Sequence, residues 1–480
     1  MITHEDFFPT SSSSPATPSE HHTLLRQLRH NILVRYRPHI QDGPGPIRVM
    51  ARIVAELEQE CRDHNIPESI IQSEIVNRTI GDINLRLITE YEGEVGGAGD
   101  YRLLADELGV ALPNEQSGTY TATGATYHWL REQMLACEQL LLAKHIDPRM
   151  YDIYGIGNPL LRDRLAQEMR QWGLAINKEQ VAASLGAMDG IDKVLRGLHM
   201  KHKAAANIGI LFPAPGFGVP EWQARSYGYR LHHFTTLAED NFKLTAAQLD
   251  TLLQQHSDIH ILYLTITNNP TAFAYTAAEL NALHSVLQTH RDTGRSLYIL
   301  ADLAYIGTGS PAADRERMET FAPPDVLRHT IFVSSFSKTH SLTGERFGWV
   351  TVGDPALVPQ LAPCWTNTMA SLPGEWQLRF MAYLRLFDTR PWLAAKLRAF
   401  YRLRRQRFVE QLYRIDATQH LFRNIYLDDD ATVYNWSQLQ AGEDAFSLFE
   451  QTGIAGVPGS GFGYSDDYIR FSIGVIPIPQ

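Results

Sequence analysis

Cysteine is scarce in this chain, with three in 480 residues, at positions 61, 137 and 364. They are too few and too far apart for a disulfide framework or a zinc-binding spacing, which excludes the small, disulfide-stapled class of fold. No apolar run approaches the ~18 residues that a membrane-spanning helix needs. There is no basic excess either. Lysine and arginine number 43 against 53 acidic residues, for a net charge of −10, so the field of the whole molecule does not favour nucleic acid or an anionic membrane. The first residues lack the basic-then-apolar pattern of a secretion signal. The 19 histidines are scattered, and no metal-ligand spacing is found among them, so no metal is expected. These absences point to a soluble protein in a reducing cytoplasm, and 44% hydrophobic residues can build a sizeable core over two domains.

Residues 1–22 are polar, with the run Ser11-Ser12-Ser13-Ser14-Pro15, and read as a disordered tail. Residues 23–145 read as a helical N-terminal extension. Its helices are expected over Leu24–Ile40, from Pro46 to about His64, from Pro67 onward, over Tyr101–Leu108 and over Tyr127–Lys144. The glycine-rich stretch Glu92–Gly99 is not followed by Gly-Lys-Ser/Thr, so it reads as a loop and not a phosphate cradle.

Residues 146–375 change character. Seven β-like segments occur, at 180–185, 207–212, 230–235, 260–266, 296–301, 330–334 and 347–352. Several are continuously apolar, such as Ile261-Leu262-Tyr263-Leu264, as strands buried on both faces must be. Helical segments separate some of them. The pattern predicts an α/β fold: a three-layer large domain around a mostly parallel seven-stranded sheet, plus a smaller α+β domain in residues 376–480. In such sheets ligands bind beyond the carboxyl ends of the strands. The C-terminal part opens with one long helical stretch, from about Glu375 to Arg414. Two short strands then flank Asp428-Asp429-Asp430, followed by a glycine-rich loop and a strand over 468–473.

One strand end stands out. The apolar run Thr330-Ile331-Phe332-Val333 leads into Ser334-Ser335-Phe336-Ser337-Lys338, and Leu342, Gly344, Arg346, Gly348 and Trp349 follow. The pattern Ser-Phe-Ser-Lys-x-x-x-Leu-x-Gly-x-Arg-x-Gly-Trp resembles the lysine loop of the class I/II aminotransferases, the fold-type I enzymes that use pyridoxal 5′-phosphate. The resemblance implies that Lys338 forms an imine with that cofactor and that Arg346 grips its phosphate, together with Ser335. It also assigns Asp302, in Asp302-Leu303-Ala304-Tyr305, to the pyridine nitrogen and Tyr305 to the phenolic oxygen. An ionised carboxylate there keeps the nitrogen protonated and the ring electron-poor. Asn269, in Asn268-Asn269-Pro270-Thr271-Ala272, matches the family's Asn-Pro-Thr-Gly except for Ala272 in place of the glycine. Gly186-Ala187-Met188 opens a helix whose backbone N–H groups suit phosphate, although no hydroxyl side chain stands there. Phe217 aligns with the aromatic residue that stacks on the ring. Arg470 aligns with the arginine that binds the substrate carboxylate. Tyr151 or Tyr154, with Tyr154 preferred, resembles the tyrosine that reaches the phosphate of the neighbouring subunit.

The implied activity is transfer of an amino group from an L-amino acid to a 2-oxo acid, in a homodimer. Alternatives on the same fold are a lyase, a decarboxylase or an oxidative enzyme, because fold and cofactor do not decide which bond breaks. A cofactor-sensing transcription regulator would need a DNA-binding N-terminal domain, and residues 1–145 show neither a helix-turn-helix pattern nor a basic excess. Aspartate-specific relatives carry a further arginine for the distal carboxylate. No basic residue occurs from Gly353 to Trp376, where it would be expected, so a neutral or aromatic amino donor is anticipated.

Overall fold

The computed structural model describes residues 17–40, 45–81, 122–153, 155–201, 208–389, 391, 393–427 and 433–474. Its centre is a sheet of seven strands: β2 (Val181–Leu185), β3 (Gly209–Ala214), β4 (Arg230–Thr235), β5 (Ile259–Thr265), β6 (Tyr298–Asp302), β7 (Thr330–Ser335) and β8 (Phe347–Val352). Their order across the sheet is β2-β8-β7-β6-β5-β3-β4. The five from β4 to β7 run parallel, and β8 lies antiparallel between β7 and β2. This is the mostly parallel sheet expected, with strand ends shifted by one or two residues.

The apolar runs follow from how the strands are covered. In β5, Leu262 and Leu264 join one hydrophobic cluster while Ile261 and Tyr263 join another, on the opposite face. Ile299 and Ala301 of β6 alternate with Tyr298 and Leu300 in the same way. Successive side chains of a strand point to opposite faces, so a sheet covered on both sides must be apolar at every position. Helices Pro159–Gln171, Ala246–Gln255 and Ala277–Asp292 supply Leu161, Leu249 and Leu280 to the first cluster. Helix Ala187–Lys201 supplies Ile191, Val194 and Leu198 to the second. That gives the three layers.

The smaller domain is built on a four-stranded antiparallel sheet. It comprises β9 (Phe422–Tyr426), β10 (Tyr434–Leu439), β12 (Val457–Pro458) and β13 (Tyr468–Ser472), in the order β12-β13-β10-β9. The long helical stretch expected before it is two helices, Gly374–Thr389 and Leu393–Gln419, with Pro391 between them. A proline lacks the N–H that an unbroken helix would need there and disfavours helical backbone before it.

The N-terminus differs from expectation in two ways. Instead of a tail reaching residue 22, a helix runs over Pro18–Tyr36. Thr17 caps it in a reciprocal box with Glu20, Pro18 occupies the first turn, and Leu25, Leu28 and Ile32 are buried. The capping signal Thr17-Pro18-Ser19-Glu20 follows directly on the serine-rich run that hides it. Nor is the extension one separate layer. The helices Pro18–Tyr36 and Pro46–Asp63 share a core with Phe446, Phe449 and Ala455 of the C-terminal domain. The short strand β1 (Val76–Asn77) pairs in parallel with β11 (Ile454–Ala455). Helix Ala122–Leu142 packs instead on Gly374–Thr389. The expected helix Tyr101–Leu108 and the loop Glu92–Gly99 lie outside the described residues.

Candidate active site

Thr265, Asp302 and Ser335 end β5, β6 and β7 side by side. They open onto a cavity of about 380 Å³, which Lys338, Arg346, Asn269, Tyr305 and Arg470 also line.

The lysine is held by its local turn. Ser335, the last residue of β7, caps the one-turn helix Phe336–Thr339: its Oγ accepts the Ser337 N–H at 3.0 Å and donates to the Phe347 carbonyl at 3.0 Å. Phe336 is buried against Trp349, with ring centres 4.9 Å apart. With Phe336 packed inward, Lys338 faces the cavity, and its Nζ donates to the carbonyl of Gly81.

Asp302 is buried. Tyr263 on the adjacent strand donates to its Oδ2 at 2.6 Å, and the Ala304 N–H donates to Oδ1 at 2.9 Å. Burial pushes the carboxyl above the ordinary carboxylate range, and these two hydrogen bonds offset this only in part. No ion pair to Asp302 occurs among the described residues. Arg470, in the middle of β13, carries the opposite charge in the same predicament. Its Nη1 donates to Asn269 Oδ1 at 3.1 Å and its Nη2 to the Thr79 carbonyl at 2.5 Å, while its Nε has no partner among the described residues. The guanidinium lies 4.4 Å from the ring centre of Tyr434 and 4.9 Å from that of Phe462. Burial lowers its proton affinity below the usual arginine range, against the pull of Tyr434 and Tyr305.

A third cationic corner lies across the cavity. Arg346 sits at φ +59°, and its Nη1 donates to the Thr343 carbonyl at 2.9 Å. Gly186, at φ +84°, makes room for it: a Cβ there would fall 2.5 Å from Arg346 Nη2. Ala187 and Met188 follow at the start of a helix and line the cavity, as does Phe217. Tyr305 donates to the Tyr434 hydroxyl at 3.3 Å. Burial opposes ionisation of Tyr434, yet Lys338 and Arg470 beside it bring its phenol below the ordinary range.

The structure therefore brings Gly186, Ala187, Met188, Phe217, Asn269, Asp302, Tyr305, Ser335, Lys338, Arg346 and Arg470 around one space. Tyr154 lies outside the described residues, and its neighbour Tyr151 is 79% exposed and does not line the cavity. Ala272, at the glycine position of Asn-Pro-Thr-Gly, takes φ +64°, the left-handed conformation that glycine adopts without cost.

Six lining residues escape a reading of the sequence: Ile47, Ile80, Gly81, Ile191, Thr265 and Tyr434. A Cβ on Gly81 would overlap the Tyr434 hydroxyl, so the chain crosses here only as glycine. A lone glycine four residues after β1 (Val76–Asn77) is the one available signal. Nothing local marks Tyr434.

The site fits a pyridoxal phosphate group on chemical grounds. A buried carboxylate without a cation and a buried guanidinium without an anion each cost several kcal/mol. A protonated pyridine nitrogen beside Asp302 and a carboxylate beside Arg470 would satisfy both. The amine of Lys338 and the guanidinium of Arg346 suit an aldehyde and a phosphate, respectively.

Comparison with known proteins bears on the family and the fold. Residues 129–476 match the family described as aminotransferase class I and II, so the likeness begins earlier than the lysine and strand motifs alone suggest. An LL-diaminopimelate aminotransferase of Dehalococcoides mccartyi is 26% identical over 338 residues, covering 66% of this chain and 78% of the relative. An asparagine–oxo-acid transaminase of Streptococcus mutans is 24% identical, covering 66% and 77%. Among solved structures, aspartate aminotransferase from Thermus thermophilus with maleate shares the fold at a TM-score of 0.62 and 17% identity, covering 88% of this chain and 91% of that one. With its family match spanning well over half the sequence, the chain belongs to the class I and II aminotransferases, a family of pyridoxal 5′-phosphate enzymes.

Proposed function

We propose that the protein moves an amino group from an L-amino acid to a 2-oxo acid, with pyridoxal 5′-phosphate held on Lys338. The observation that carries this reading is that two buried charges without an ion-pair partner among the described residues, Asp302 and Arg470, line one cavity with the lysine. Asp302 would hold the pyridine nitrogen, and Tyr305 and Asn269 the phenolic oxygen. Arg346, Ser335 and the backbone of Gly186, Ala187 and Met188 would hold the phosphate, with Phe217 against the ring. The cofactor, when bound, supplies the electron sink that lets a bond at the substrate Cα break. Arg470 would hold the substrate carboxylate as a two-pronged donor and so fix the substrate within reach of Lys338. The Lys338 amine would take the proton from the substrate Cα and give it back, as base and acid in turn. Without cofactor, Lys338 donates to the Gly81 carbonyl, a contact that binding of the cofactor to this amine would displace.

A homodimer is part of the proposal. Met150, Tyr151 and Ile153 are 71%, 79% and 93% exposed, an apolar surface that a second copy would cover. Tyr154, assigned from its motif, would then serve the phosphate of the other subunit. Among the described residues no helix is long and apolar enough to cross a membrane.

Borohydride reduction of the purified holoenzyme followed by peptide mass spectrometry tests the assignment. Cofactor mass is expected on the peptide containing Lys338 and absent in Lys338→Ala. Attachment to another lysine would overturn it. Oxo-acid formation from an amino donor, measured against release of CO₂ or ammonia, separates transamination from the other reactions of the fold.

A further inference from the structure

At the far end of the sheet from Lys338, three side chains from separate segments converge. They are His232 in β4, His256 just after helix Ala246–Gln255, and Asp258 just before β5. One ligand atom from each lies within 4.8 Å of the others. We propose that they form a binding site for a divalent transition-metal ion of borderline softness, for which zinc is the probe. Two imidazoles and one carboxylate suit such an ion, whereas magnesium and calcium favour oxygen ligands throughout.

The backbone is already set for it. Gly209 of β3 donates its N–H to the Asp258 carbonyl at 2.7 Å, and His260 Nδ1 lies 2.6 Å from the same oxygen. Arg295 donates to the carbonyls of His256 at 2.9 Å and Ile259 at 3.1 Å, pinning the turn from behind. His232 is fixed by the β3–β4 ladder opposite Leu211. Gly209 also leaves space for the ring, since a Cβ there would meet His232 Nε2 at 2.9 Å. The rings of His232 and His256 are 4.5 Å apart, and His232 Nε2 lies 2.9 Å from Asp258 Oδ2. Zinc bonds of about 2.0–2.2 Å place tetrahedral ligands about 3.3–3.5 Å apart, so the site closes by rotation of the side chains alone. Binding through Nε2 would take the neutral His232 tautomer whose proton sits on Nδ1, with Asp258 as the ionised carboxylate. Solvent reaches the open coordination positions, because His232 and Asp258 keep 12% and 17% of their side-chain surface.

The local charge limits the affinity. Arg230 Nη1 lies 3.3 Å from Asp258 Oδ2, and its side chain is 55% exposed, so it turns outward when the ion arrives. Arg295 remains nearby. The β5 strand separates the cluster from the catalytic cavity by about 20 Å, so the ion would take no part in the chemistry at Lys338.

Zinc titration of the chelator-treated holoenzyme by calorimetry tests the site. One equivalent is expected to bind, with at least a tenfold loss of affinity in His256→Ala and in Asp258→Asn. Arg230→Gln, an exposed position that does not threaten folding, is expected to tighten binding about 3–10-fold by removing a repelling charge. Turnover without zinc is expected to be unchanged in all three. Absence of a zinc equivalent in the wild type, or equal binding in the wild type and all three variants, would overturn the proposal.

Discussion

Replacing Asp302 with asparagine is expected to push the empty and the cofactor-loaded protein in opposite directions. The carboxyl is buried, accepts hydrogen bonds from Tyr263 and Ala304, and has no cation beside it. Burial raises its affinity for protons above that of the unfolded chain. The sign of the pH effect follows. The folded empty protein binds more protons than the unfolded one between the unfolded and folded pKa values, so its stability falls as pH rises through that window. The destabilisation is fully present above the folded pKa. Asp302→Asn would keep the acceptor for the Ala304 N–H and remove the charge, so the empty protein should gain about 1–2 kcal/mol at neutral pH, a melting shift of about 1–4 °C upward. With cofactor bound, the charge instead gains the pyridine nitrogen as a partner. Losing that buried pair should cost about 3–5 kcal/mol, or more than a hundredfold in cofactor affinity. Thermal unfolding of the two forms near pH 7.5, together with cofactor titration by absorbance, measures both arms. If the substitution destabilises the empty protein as much as the loaded one, Asp302 is a structural residue and the reasoning fails.

Gly186→Ala should weaken cofactor binding at least tenfold, because its Cβ would meet the Arg346 guanidinium at a φ of +84°. A cofactor titration that shows no change would remove Arg346 from the phosphate site. For specificity, the cations lining the cavity among the described residues are Lys338, Arg346 and Arg470, and the remaining wall includes Ile47, Ile80, Met188, Ile191 and Phe217. A distal carboxylate would enter without a partner, so a neutral or aromatic donor should exceed aspartate by about tenfold in kcat/KM, about 1.4 kcal/mol of differential binding. Aspartate proving the best donor in a panel would show that a charge partner comes from elsewhere.

The lysine loop, the strand-end carboxylate and the seven-stranded sheet can be read from the sequence because each is written locally. Ile299 to Ala301 are apolar at every position because both faces of the sheet are covered, and Asp302 and Ser335 fall at strand ends that a parallel sheet gathers on one side. Even the helix at Pro18 is written locally, in the Thr17–Glu20 box, and so is the break at Pro391, although the polar and helical runs around them point the other way. Tertiary structure alone decided the rest. Gly81 and Tyr434 are more than three hundred residues apart, and they matter only because β1 docks beside β11 and carries the chain to the Tyr434 hydroxyl. Likewise, His232, His256 and Asp258 have no ligand spacing along the chain, since a whole helix separates the first from the other two, and the β3–β4 and β3–β5 ladders bring them together. Local patterns encode which face of an element is buried. Which distant side chains then meet is set by the packing of those faces, and no short stretch of sequence contains it.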